Sequence, residues 1–121
     1  MILIDYRDTS PIYEQVTERF KMLILHGVLH PDEKMPSVRN LAVELSINPN
    51  TIQRAYSELE RQGYIYTVKG KGNFVSDDGR LLFKYKEKLL KDLRDICKAA
   101  LEVGITEEEL IQSIIGGKAD D

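Results

Sequence analysis

The chain has 121 residues, 42% hydrophobic and 31% charged, with a formal net charge of −3. That is room for one compact domain and an appendage, with the composition of an ordinary folded protein. No apolar run approaches the roughly 20 residues that span a bilayer. The opening MILIDYRDTS has no basic leader pattern, and the lone Cys97 has no internal disulfide partner, so a cytoplasmic protein is expected.

Residues 1–9 read as an extended lead. Ser10 and Pro11 mark a helix start, with Ser10 as cap and Pro11 in the first helical position. Ile12, Val16, Phe20, Leu23 and Ile24 repeat at helical spacing to about His26, and Gly27 ends the helix. Residues 27–36 read as a loop. Ser37 caps a second, short helix with Val38, Leu41, Ala42 and Leu45 inward and Arg39, Asn40 and Glu44 outward.

After Ser46 and Ile47 comes NPNTIQRAYSELERQG (48–63). Asn48 is a cap, Pro49 suits the first turn, and Gly63 supplies a left-handed stop. Ile52, Ala55, Tyr56 and Leu59 form the buried stripe, and Asn50, Thr51, Gln53, Arg54 and Ser57 face outward. Arg forks onto guanine, Asn or Gln onto adenine, and Thr reaches phosphate or a thymine methyl. An ordinary solvated helix surface has the same composition, so the neighbouring elements decide. Two short helices joined by a tight turn make a helix-turn-helix, and residues 48–62 are its recognition helix.

YIYTV (64–68) is dense in β-branched and aromatic residues and predicts a strand, KGKGN (69–73) a turn, and FVS (74–76) the returning strand. A hairpin after a helix-turn-helix is a wing. Its tip, Lys69-Gly70-Lys71, is suited to phosphate or minor-groove contact.

Asp77–Gly79 marks a boundary. A long helix is expected from Arg80 to about Val103, with Leu82, Leu89, Ile96 and Val103 spaced by seven and Leu93 and Ala100 between them; Leu90, Cys97 and Leu101 widen the stripe. Gly104 ends it. Thr106 with Glu109 is a capping box opening a last helix, with Leu110, Ile111, Ile114 and Ile115 on its apolar face. Gly116–Gly117 is read as its stop and KADD as a polar tail.

The expected fold is mainly α with a small β-hairpin: a winged helix-turn-helix domain at 1–78, then a two-helix dimerisation segment at 79–121. Some 40 residues bury such a stripe poorly alone. A second copy is the expected partner, through Leu82, Leu89, Leu93, Ile96, Ala100, Leu110 and Ile114.

The net charge opposes nucleic-acid binding, but its distribution does not. Residues 34–71 hold six basic side chains (Lys34, Arg39, Arg54, Arg61, Lys69, Lys71) against three acidic ones (Glu44, Glu58, Glu60).

The run MPSVRNLAVELSINPNTIQRAYSELERQGYIYTVKGKGNFV (35–75) resembles the signature of GntR-type bacterial transcriptional regulators, and SPIYEQV (10–16) is similar to their first helix. The resemblance covers about residues 5–77. It implies DNA contacts at Arg39, Asn48, Pro49, Asn50, Thr51, Gln53, Arg54, Lys69, Gly70 and Lys71, with Arg39 and Arg54 foremost. The short two-helix C-terminus resembles the YtrA-type subgroup. That likeness implies dimerisation and a repressor binding a palindromic double-stranded operator, and leaves no room for a large effector domain. Asn73 stands where the family often has threonine.

No cofactor is expected. His26 and His30 are separated by Gly27 and lack a third ligand, so no metal site is read there. Cys97 reads as a core thiol. The G-K-G turn lacks a third small residue at Val75 and leads into a strand, so it is no dinucleotide loop. No nucleophile–base set is suggested, so no enzyme is expected. Two other readings stay open: a winged-helix protein-interaction module, and a sensor of a small molecule between C-terminal helices.

Overall fold

Apolar stripes at helical spacing on the first three helices meet in one core. In the computed structural model, which describes residues 2–120 and side chains up to residue 116, these are α1 (Ile12–Leu25), α2 (Val38–Leu45) and α3 (Pro49–Arg61). They are followed by an antiparallel hairpin, β1 (Ile65–Val68) and β2 (Gly72–Val75), and by α4 (Leu81–Glu102) and α5 (Glu107–Asp120). The fold is the mainly helical winged helix-turn-helix expected.

Val16 and Phe20 from α1, Leu41 and Ala42 from α2, and Ile52, Ala55, Tyr56 and Leu59 from α3 are all buried. Phe20 meets Tyr56 edge-to-face at 5.7 Å, the arrangement ring quadrupoles favour. Tyr64, Ile65 and Val75 close the core from the hairpin, and Ile2 enters it from the lead. Gln15 holds that lead, accepting from the Asp5 amide at 3.0 Å and donating to the Asp5 carbonyl at 3.1 Å.

The helix boundaries follow from their caps, with two corrections. α1 begins with Pro11, not Ser10, in the cap position, and no side chain caps it. Ser10 instead donates its amide and hydroxyl to the Asp8 carboxylate, at 2.8 and 2.9 Å. Pro11, at ψ 147°, stays extended, so the first helical turn starts one residue later. The second correction concerns α5, which runs past Gly116 and Gly117 to Asp120. Glycine stops a helix by turning left-handed, as Gly63 (φ 84°) and Gly104 (φ 93°) do; Gly116 keeps a helical backbone. The expected KADD tail is therefore helical up to Asp120, and Asp121 lies outside the described residues. The capping box of α5 forms: Thr106 Oγ1 accepts from the Glu109 amide at 3.1 Å while the Glu109 carboxylate accepts from the Thr106 amide and hydroxyl.

The segment read as a loop before α2 is also partly ordered as sheet. The amides of Asp32 and Met35 donate to the carbonyls of Val75 and Asn73, and the Val75 amide donates to Glu33, each at 2.8 Å. Lys34 thus pairs with Phe74 in an isolated antiparallel bridge alongside β2. Pro31 and Asp32 disguise it in the sequence, because they punctuate the chain just before the bridge.

The chain divides into two compact units, Met1–Leu81 and Leu82–Asp121. Leu81, the first residue of α4, belongs to the first unit and is buried in its core. In the second unit α4 carries the i,i+4 pairs Lys88–Asp92 and Lys91–Asp95, at 2.8 and 2.9 Å. Its apolar residues stay exposed within the single chain, Ile96 at 65% and Leu93 at 44%.

Candidate nucleic-acid interface

The turn between α2 and α3 sets the site. Ser37 Oγ accepts from the Asn40 amide at 3.1 Å, which starts α2. Ser46 then adopts a left-handed backbone (φ 55°, ψ 45°), closing α2 within one residue. Ile47 packs against the core and fixes the crossing of the two helices. Asn48 Oδ1 accepts from the Asn50 amide at 2.8 Å, with Pro49 in the first turn of α3. The cap thus occupies the carbonyl end of Asn48 and leaves its amide group able to donate outward.

With α3 anchored by four buried side chains, its opposite face is open. Asn48, Pro49, Asn50, Gln53, Arg54 and Ser57 are exposed and Thr51 is half-buried. Gln53 donates to Ser57 Oγ at 3.3 Å along this face. The Arg54 guanidinium carbon lies 3.8 Å from the centroid of the half-buried Tyr13 ring on α1. Sequence reasoning did not single out Tyr13; the available signal was an aromatic beside, but not on, the Ile12–Val16–Phe20 stripe.

On the wing, Lys69, Gly70 and Lys71 are all exposed. Gly70 (φ 77°) and Gly72 (φ 123°) hold backbone conformations that side chains disfavour. A Cβ at Gly72 would come within 3.1 Å of Lys34 Cε, so the Lys34 stem lies across the base of the tip.

Some of the unit's cations are neutralised locally and some are not. Arg61 pairs with Glu58, and Lys21 pairs with Glu18 at 3.0 Å. Arg39, Arg54, Lys69 and Lys71 form no ion pair with any described residue. Glu58 also accepts from Gln62 at 2.7 Å. The Arg61 and Gln62 hydrogen bonds hold its carboxyl down at about 2. The groove beside Tyr13, about 300 Å³ in volume, is lined by Glu14, Glu18, Glu58, Thr17 and Gln62.

Among the described residues, no group of three His, Cys, Asp or Glu is arranged to hold a metal ion. No helix is long and apolar enough to cross a membrane.

A capped helix pair with an open polar face, followed by a hairpin with a basic glycine-containing tip, defines a winged helix-turn-helix domain. Residues 12–75 match the family model of bacterial regulatory proteins, gntR family. The chain is 38% identical to the HTH-type transcriptional repressor YtrA of Bacillus subtilis, with all of both chains covered. A GntR family transcriptional regulator from Listeria monocytogenes is similar in structure, with TM-score 0.70 and 35% identity over 93% of this chain and 98% of that one. The AraR DNA-binding domain in complex with operator ORE1 is also similar, with TM-score 0.54 and 32% identity over 63% and 93% of the two chains. The chain belongs to the GntR family of bacterial transcriptional regulators, which bind DNA and are not enzymes. Over its whole length it is similar to YtrA.

Proposed function

We propose that this chain is a cytoplasmic repressor that binds a palindromic operator as a homodimer. The exposed face of α3 enters the major groove, Arg39 clamps the backbone or reaches a guanine edge, and Lys69-Gly70-Lys71 contacts phosphate or the minor groove. Residues 1–78 bind DNA and residues 79–121 dimerise.

The observation that carries the DNA reading is the set of four cations, Arg39, Arg54, Lys69 and Lys71, on the second and third helices and the wing, left without carboxylate partners. A module built to dock on a protein has no need of that set beside a basic wing. The dimer reading rests on α4 and α5, where Leu82, Leu89, Leu93, Ile96 and Ile114 are exposed and Ala100 and Leu110 half-exposed in one chain. Apolar helical stripes of this kind bury themselves against a second helix pair. The similarity to YtrA, named a repressor, supports repression as the sign of regulation.

Fluorescence anisotropy with duplex from the gene's own upstream region, against scrambled duplex over a salt series, tests the reading. Native duplex is expected to bind ~10³-fold or more tighter, with affinity falling as salt rises. Equal binding of both duplexes contradicts it. Sedimentation at micromolar concentration is expected to give twice the chain mass; the mass of one chain contradicts the dimer.

A further inference from the structure

We infer that Tyr13 is a positioning residue for DNA recognition: its ring is a platform that fixes the Arg54 guanidinium without consuming any of its N–H donors. The inference rests on the proposal that Arg54 contacts the operator.

Two observations combine here. The guanidinium carbon of Arg54 sits 3.8 Å from the Tyr13 ring centroid, and the ring itself is held against the core. The Tyr13 backbone is also anchored, its carbonyl accepting from the buried Thr17 hydroxyl at 2.7 Å. The second observation concerns Glu58, one helical turn beyond Arg54 and the nearest default partner for it on α3. That carboxylate is already engaged by Arg61 and by Gln62. Arg54 is therefore steered by an aromatic face and not by an acid.

The difference matters chemically. A carboxylate would occupy the fork of N–H groups that reads the O6 and N7 of guanine or grips a phosphate. A cation–π contact attracts the guanidinium through the face of the ring and leaves those in-plane donors available. It also restricts a long side chain before DNA arrives, lowering the entropy lost on binding. The Tyr13 hydroxyl takes no part in the contact; it donates to Glu14 at 3.3 Å. The ring is what acts, so phenylalanine should replace tyrosine and leucine should not.

The test is a double-mutant cycle on the full chain, using the tightest duplex recovered with wild type from a random-sequence library and a mixed-sequence duplex as control. Tyr13→Phe is expected to bind the selected duplex within about twofold of wild type. Tyr13→Leu is expected to lose roughly fivefold, in line with a half-exposed cation–π contact, with control binding unchanged if Arg54 reads a base and lowered alike if it grips a phosphate. In an Arg54→Ala background, Tyr13→Leu is expected to add no further loss. An independent readout on the free protein is the NMR signal of Arg54 Hε, shifted upfield by the ring in wild type and in Tyr13→Phe but not in Tyr13→Leu. Equal losses from Tyr13→Leu in both backgrounds, a Tyr13→Phe loss as large as that of leucine, or an unshifted Arg54 Hε in wild type would overturn the inference. Wild-type affinity in Arg54→Ala is a different failure: it removes Arg54 from the recognition face and the platform's purpose with it.

Discussion

The Tyr56 hydroxyl donates to the Pro36 carbonyl at 2.7 Å, joining the middle of α3 to the residue just before the Ser37 cap. The same ring stands edge-on to Phe20 of α1. One buried side chain therefore sets the recognition helix against both of its neighbours. Tyr56→Phe keeps the ring but leaves the Pro36 carbonyl without this donor. The expected cost is about 1–2 kcal/mol, measured by urea denaturation, with an unchanged denaturant slope.

Glu58 makes part of the stability pH-dependent. Its carboxyl lies below the ordinary value of 4.5, at about 2, chiefly through the Arg61 hydrogen bond and then that of Gln62. A group with a depressed folded value contributes stability above its unfolded value and loses it as pH falls toward the folded one. The contribution is thus present at neutral pH and fades between about 4.5 and 2. Thermal melts of wild type and Glu58→Gln are expected to differ at pH 7 and to converge through that window. A difference that stays constant with pH would remove the assignment.

Asn48 has one observed duty, capping, and one that we propose, contact with DNA. Its Oδ1 caps α3 through the Asn50 amide, and its amide group is able to donate to DNA. Asn48→Ala is expected to cost about 1 kcal/mol of stability and to weaken operator binding. Asn48→Asp keeps the cap, so its stability should stay near wild type while DNA binding falls through phosphate repulsion. Chemical denaturation and anisotropy on the same samples separate the two effects.

Lys71 sits at the exposed wing tip with no carboxylate partner among the described residues. A phosphate contact carries no sequence information. Lys71→Ala should therefore weaken binding to all duplexes alike and lower the slope of log affinity against log salt by about one unit. A loss confined to one sequence would assign Lys71 to base readout instead.

The sequence made the helix pair and wing legible because their signals are local. Ser37, Asn48 and Gly63 each announce a helix end by cap chemistry or by the φ they tolerate, and the Ile52–Leu59 stripe has helical spacing. Long-range contacts left no such signal. The bridge at Lys34 depends on pairing with Phe74 far along the chain, and the placement of Tyr13 under Arg54 depends on how α1 crosses α3. Two local readings also erred. Ser10 is not the cap, because Pro11 keeps an extended backbone and takes the cap position one residue later, and the Ser10 hydroxyl donates to Asp8. Gly116 reads as a stop only if it turns left-handed, and it does not. The contact residues themselves rest on chemistry and resemblance, since a face suited to DNA and a solvated face use the same residue types.

Selection of duplexes from a random-sequence library by the 121-residue chain, followed by sequencing, tests whether it binds an operator as a symmetric dimer. One two-fold symmetric sequence should be enriched, with half-sites an integral number of helical turns apart, about 10 base pairs each. Arg54→Ala should fail to enrich the same sequence. Enrichment of an asymmetric site, of no sequence at all, or of the same palindrome by Arg54→Ala would contradict the proposal.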